Sequence, residues 1–77
     1  MIKILVISTD GYEDWTSSYE AFYQVSEFTP KAIATLLYDD IPADEIPELL
    51  EEMAISVNDN TIIINSEEQG ITAVRMN

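Results

Sequence analysis

Apolar residues open the chain on both parities: Ile2, Ile4 and Val6 interleave with Leu5 and Ile7 before Ser8, Thr9, Asp10 and Gly11 break the run. A short run that is apolar on both sides reads as a strand over residues 2–8, central in its sheet and buried on both faces. Asp10-Gly11 is a turn signal, so residues 9–15 are expected to form an acidic and aromatic loop. Residues 17–28 carry two competing patterns. Ser17 followed three residues later by Glu20 matches a capping box and would place Tyr19, Phe22 and Tyr23 on one helical face. The alternation of Tyr19, Ala21, Tyr23 and Val25 instead suits a strand that folds back on the first. The helix is preferred, with the strand as the alternative.

Thr29-Pro30 is a helix start, with Thr as N-cap and Pro in the first turn. Ile33, Leu36 and Leu37 then share a face that Ile41 extends, the helix ends near Asp39 or Asp40, and Pro42 enforces the break. A second helix is expected from Ala43 or Asp44, with Pro47 in its first turn and an apolar face of Ile46, Leu49, Leu50 and Met53. Asn58-Asp59-Asn60 is turn chemistry, and Thr61 to Asn65 form a strand around Ile62, Ile63 and Ile64. Residues 66–70 read as a hairpin loop, with Gly70 where a positive φ is expected, before a last strand over Ile71 to Met76. These elements add up to one α+β domain over residues 1–77. Its antiparallel sheet of three to four strands, drawn from both chain ends, packs against two or three central helices.

Charge changes the picture most. Fifteen residues are acidic, three (Lys3, Lys31, Arg75) are basic and none is His, giving a net charge of −12 on 77 residues. Hydrophobic residues at 47%, eleven of them Ile, separate the chain from a disordered acidic tail. A folded domain of this length has a radius of gyration of roughly 11–12 Å and a diameter of about 30 Å. That is about one net charge per 2.5 Å, against about one per 1.7 Å of axis in duplex DNA.

The same composition removes several function classes. Without His or Cys, and with no Ser in a Gly-rich elbow, nucleophilic catalysis has no usual base, and zinc–thiolate or disulfide chemistry has no sulfur. Paired carboxylates could serve a glycosidase, but 77 residues leave little room for a sugar cleft. The chain reads as a non-enzyme. The oxygen-rich stretches 10–14 and 58–60 do not follow the EF-hand spacing and read as polar turns, so no metal or cofactor is expected. The opening apolar run is too short for a signal core or a membrane span, which makes a cytoplasmic, soluble protein the default. Anionic membranes and nucleic acid would be repelled, leaving a basic protein as the expected partner. Oligomeric state is left open.

Two surfaces are candidates for contacting that partner. The polar side of the second helix holds Asp44, Glu45, Glu48, Glu51 and Glu52, with Glu48 and Glu52 about 6 Å apart along a helix axis. A merely solvated face usually mixes signs, because Glu–Lys pairs stabilise a helix and like charges destabilise it. Here the 43 residues from Ala32 to Val74 contain ten acids and no base. The second surface groups Tyr12, Trp15 and Tyr19 with Glu13, Asp14 and Glu20, a mixture suited to holding Arg side chains by cation–π contact and carboxylate pairing. The plainer reading is that Trp15 and Tyr19 close one end of the core.

In its small size, acid excess and lack of catalytic residues, the chain resembles, at class level, the small acidic inhibitors that bacteriophages make against host nucleic-acid enzymes. These include anti-restriction proteins, uracil-DNA glycosylase inhibitors and several anti-CRISPR proteins. The resemblance carries over no individual positions. It implies a DNA mimic serving host-defence evasion in the host cytoplasm, whose carboxylates stand in for phosphates in the basic groove of a DNA- or RNA-handling protein. The alternative is an acidic adaptor or antitoxin-like module that binds through an aromatic or apolar patch, its charge serving mainly solubility.

Self-repulsion among the carboxylates opposes compaction and is screened by salt. The melting temperature should therefore rise between about 10 mM and 150 mM salt, as the Debye length falls from about 30 to 8 Å. Thermal unfolding followed by circular dichroism checks this, and a lower melting temperature at the higher salt would refute it.

Overall fold

The structure is a computed structural model that describes residues 1–12, 15–67 and 69–76, with the backbone alone at Tyr12, Trp15 and Thr16. Strands β1 (Ile2–Tyr12) and β2 (Trp15–Val25) are followed by helix α1 (Pro30–Leu37). A 3₁₀ turn (Ala43–Glu45) leads into helix α2 (Ile46–Glu51), then strands β3 (Ala54–Val57), β4 (Thr61–Asn65) and β5 (Gln69–Arg75). The five strands form one antiparallel sheet in the order β2-β1-β5-β4-β3. This corrects the expected α+β arrangement of three to four strands under two or three helices. The sheet dominates, and the two helices span eight and six residues.

Most of the difference lies in residues 17–28, where the strand prevails over the preferred helix. β2 pairs with β1 without interruption from Ile2↔Val25 to Tyr12↔Trp15, and Ser17 and Glu20 of the supposed capping box face Asp10 and Ile7 across the ladder. A cap is worth about 1 kcal/mol. A continuous ladder satisfies backbone groups along eleven residues and pairs aromatic and β-branched side chains across the strands, so it outweighs the local signal. The same ladder absorbs Asp10-Gly11 into β1, in place of the expected turn.

At the other edge, Ala54–Val57 forms a strand that the periodicity did not indicate, and the second helix is correspondingly shorter than expected. The Asn58-Asp59-Asn60 turn returns the chain into β4, with the Asn58 N–H donating to the Thr61 carbonyl at 2.8 Å.

α1 forms where expected and for the expected reason. Thr29 Oγ1 accepts from the Ala32 N–H at 3.1 Å, and Pro30 occupies the first turn. The expected left-handed glycine does not occur: among the described residues no glycine has a positive φ. Gly70 lies within β5 opposite Asn65, where a Cβ would come within 3.1 Å of Asn65 Oδ1. Close approach, not a turn, is what asks for glycine there.

Alternation along the strands sorts side chains into two unlike faces. One face carries the rows Ala21–Val6–Ala73–Ile62–Val57 and Tyr19–Ser8–Ile71–Ile64–Ile55. Ile4, Val6, Val25, Ile62, Ile64, Ile71 and Ala73 on this side join Ile33 of α1 in the core, with Leu36, Leu37, Leu50 and Met53 packed against it. Ile46 of α2 is also fully buried. Cover is incomplete over β3, where Ile55 and Val57 remain 38% and 57% exposed.

The opposite face carries Phe22–Leu5–Val74–Thr61 and Glu20–Ile7–Thr72–Ile63–Ser56, and no described element covers it. β1 is thus interior to its sheet but buried on one face only, with Leu5 and Ile7 half-buried on the other.

Replacing Thr29 with Ala removes the acceptor for the Ala32 N–H and should lower unfolding stability by about 1 kcal/mol, whereas Ser should retain most of it. Urea denaturation of the two variants distinguishes these outcomes.

Candidate interaction surfaces

The topology gathers the bases at one end of the sheet. Lys3 stands near the start of β1, and Arg75 pairs with Ile4 at the end of β5. Lys31, in the first turn of α1, shares a shallow concavity with Met1, Gln24 and Glu27. Asp59 joins this end through the β3–β4 turn, where the Arg75 N–H donates to the Asn60 carbonyl at 2.8 Å.

The far end is acidic. Asp10 pairs with Gln69 there, and the β1–β2 ladder runs on to Tyr12↔Trp15. Glu52, capping α2, and Glu67, between β4 and β5, line one concavity of about 380 Å³ with Leu49, Met53 and Ser66. Asp39 and Asp40 are exposed beside Tyr38, whose hydroxyl donates to Gln69 Oε1 at 2.7 Å. The molecule measures 38 × 27 × 22 Å, with a radius of gyration of 12.2 Å. Over its long axis the net charge of −12 amounts to about one per 3 Å, sparser than a sphere of this length implies.

The first candidate surface is brought together in part. Asp44 and Glu45 lie in the 3₁₀ turn, Glu48 and Glu51 in α2 and Glu52 at its C-cap, and all five are exposed. Because the helix proper spans Ile46–Glu51, Glu45 and Glu52 flank it and do not share one regular face. Sequence spacing did not indicate Glu67 as a neighbour of Glu52: fifteen positions separate them, and only the return of β4 beside α2 brings them to one concavity.

The second surface is divided. Tyr12 and Trp15 are partners at the end of the β1–β2 ladder, while Glu13 and Asp14 lie outside the described residues. Tyr19 is 56% exposed and donates its hydroxyl to the Asp10 carboxylate, so it does not close the core. Glu20 is on the uncovered face, away from Tyr19, because successive strand residues point to opposite sides.

Compared with protein-family models, curated proteins and solved structures, the chain matches none. Among the described residues no group of three or more His, Cys, Asp or Glu is placed to hold a metal ion, and no helix is long and apolar enough to cross a membrane.

A polar network joins the acidic end to the helices. Gln69 accepts from Tyr38 and turns its amide Nε2 toward Ser8 Oγ at 3.5 Å, above a cleft of about 220 Å³ bordered by Tyr19, Tyr23 and Leu37. That volume is below the range of about 300–1,000 Å³ usual for small-molecule sites. Partial burial, and secondarily the charge of Asp10, push the Tyr38 phenol above its usual value of 10.0.

A phenol held above its unfolded value contributes stability that is fully present below pH 10.0 and is lost as pH rises through the folded value. Stability should therefore fall on the alkaline side of that point, and Tyr38→Phe should flatten this limb. The same substitution should cost about 1 kcal/mol at neutral pH for the lost hydrogen bond to Gln69. Phenolate absorbance during an alkaline titration should lose a component that ionises above 10.0 in the variant; an unchanged titration would refute the assignment.

Proposed function

We propose that this protein is a non-enzymatic acidic inhibitor that occupies the basic nucleic-acid groove of a DNA- or RNA-handling protein, its carboxylates standing in for phosphates. The observation that carries the reading is the segregation of charge. The stretch from Ala32 to Val74 has ten acids and no base, Glu52 and Glu67 share one concavity where β4 turns into β5, and Lys3, Lys31 and Arg75 lie at the opposite end of the sheet.

A surface kept neutral by internal pairs would have little to offer a row of Lys and Arg side chains. Carboxylates such as Glu52 and Glu67 line one concavity within a stretch that has no base. An incoming guanidinium can pair with both oxygens of such a carboxylate at once. Opposite fields steer the two proteins together, giving fast association that weakens as salt is added. Inhibition then needs no reaction: the inhibitor excludes the nucleic acid by occupying its groove.

The triple substitution Glu45→Gln, Glu48→Gln and Glu52→Gln removes three exposed charges and leaves the buried apolar contacts of α2 in place. Affinity for the target, captured from a bacterial lysate at low salt and identified, should fall at least about tenfold, roughly 1.4 kcal/mol or more. Duplex DNA or RNA should compete with the unaltered chain, and the domain should stay folded by circular dichroism. Binding that survives both the substitutions and the competitor would overturn mimicry and favour the adaptor reading.

A further inference from the structure

We propose that the uncovered face of the sheet is a self-association surface, on which a second copy of this chain packs sheet against sheet. The face is apolar at its centre. Leu5, Ile7, Ile63 and Val74 are half-buried there by their neighbours alone, and Phe22 stands 73% exposed at its β2 edge. A shallow concavity of about 490 Å³ runs over Phe22, Lys3, Gln24 and Met76. Thr9, Thr61, Thr72 and Ser56 fill the positions between, short side chains that leave the surface flat enough for another sheet at about 10 Å.

Charge selects the occupant. Among the described strand positions on this face there is one base, Lys3, and one acid, Glu20. The remaining acids among the described residues lie on the helical layer, in the connections or on the helix side of the sheet. A two-fold dimer needs a surface complementary to itself. Two chains of net charge −12 can meet closely only where that charge is absent, and this face, with one charge of each sign, meets the condition. Packed this way, both helical layers and their carboxylates point outward into solvent.

The area is sufficient. Four strand spacings of about 4.8 Å and a shared strand length of about 20 Å give a projected face of about 400 Å². With the relief of protruding side chains, two such faces bury about 1,000 Å² in total, the size at which a specific interface begins. The inference does not rest on the inhibitor reading, and salt separates the two. Screening weakens binding to a basic target and strengthens association between like-charged copies.

Sedimentation equilibrium between about 1 and 100 µM, a range suited to an interface of this size, is the test. At moderate salt the mass should move from 8.7 kDa toward twice that value, and the dimer should tighten as salt rises. Thr72→Glu, on the central strand, sets like charges near one another across the contact, and Phe22→Glu puts a charge in place of an apolar contact; each should raise the dissociation constant at least about tenfold. Thr35→Glu, on the exposed side of α1, should leave it nearly unchanged. Circular dichroism verifies that each variant keeps its sheet, and the mass of the unaltered chain decides the matter without them. A mass that stays at 8.7 kDa throughout overturns the proposal, whether or not the face receives some other protein. So does a dimer that both face substitutions leave intact.

Discussion

The antiparallel ladder between β1 and β2 is the constraint on which the rest of the structure depends. It binds the first eleven-residue strand to its neighbour along its whole length, and β5 closes on the other side of β1 from Ile4↔Arg75 to Asp10↔Gln69. The two ends of the chain are thereby joined in one sheet, and the central segment is left to supply the covering layer. With residues 15–25 committed to the ladder, only α1 and the short α2 remain to cover the sheet. Two short helices cover one face. The other face is apolar, and no described element covers it.

Strand alternation also sets the electrostatics. Side chains that would be neighbours on a helix are sent to opposite sides of a sheet, so Tyr19 reaches Asp10 on the helix side while Glu20 lies on the uncovered face. Antiparallel reversal places the start of β1 beside the end of β5, which collects Lys3 and Arg75 at one end, with Lys31 close by. Glu52, at the end of α2, and Glu67, between β4 and β5, occur where the chain turns at the other end. A chain strongly negative in total is therefore polar along its length and nearly neutral on one broad face. The proposed contacts with a basic groove and with a second copy use different parts of this distribution.

Much of the local structure was legible from residue types because its causes are local. Thr29 and Pro30 announce α1 through a cap and a fixed φ, and the Ile-rich run 61–65 and the alternation over 71–76 announce two strands. Residues 17–28 were not legible in this way. Their capping box and their alternation are both real local signals, and only pairing with β1 decides between them. β3 was hidden for a related reason: Ala54–Val57 is four residues long, exposed throughout, and is a strand only because β4 lies beside it. At the candidate site, the five acids around α2 could be named from composition, but Glu67 could not, since its neighbourhood with Glu52 comes from the return of the chain.

By itself, then, the sequence determined the sign and size of the charge, the lack of His and Cys chemistry, the start of α1 and the apolar character of β1, β4 and β5. Each is a property of residues or of near neighbours along the chain. Tertiary structure decided which residues are opposite one another: that residues 15–25 are a strand, that the bases gather at one end, and that no described element covers one face of the sheet. The physical reason is that cross-strand hydrogen bonding and one-sided helix packing depend on partners many residues away, and no local pattern encodes where those partners will lie.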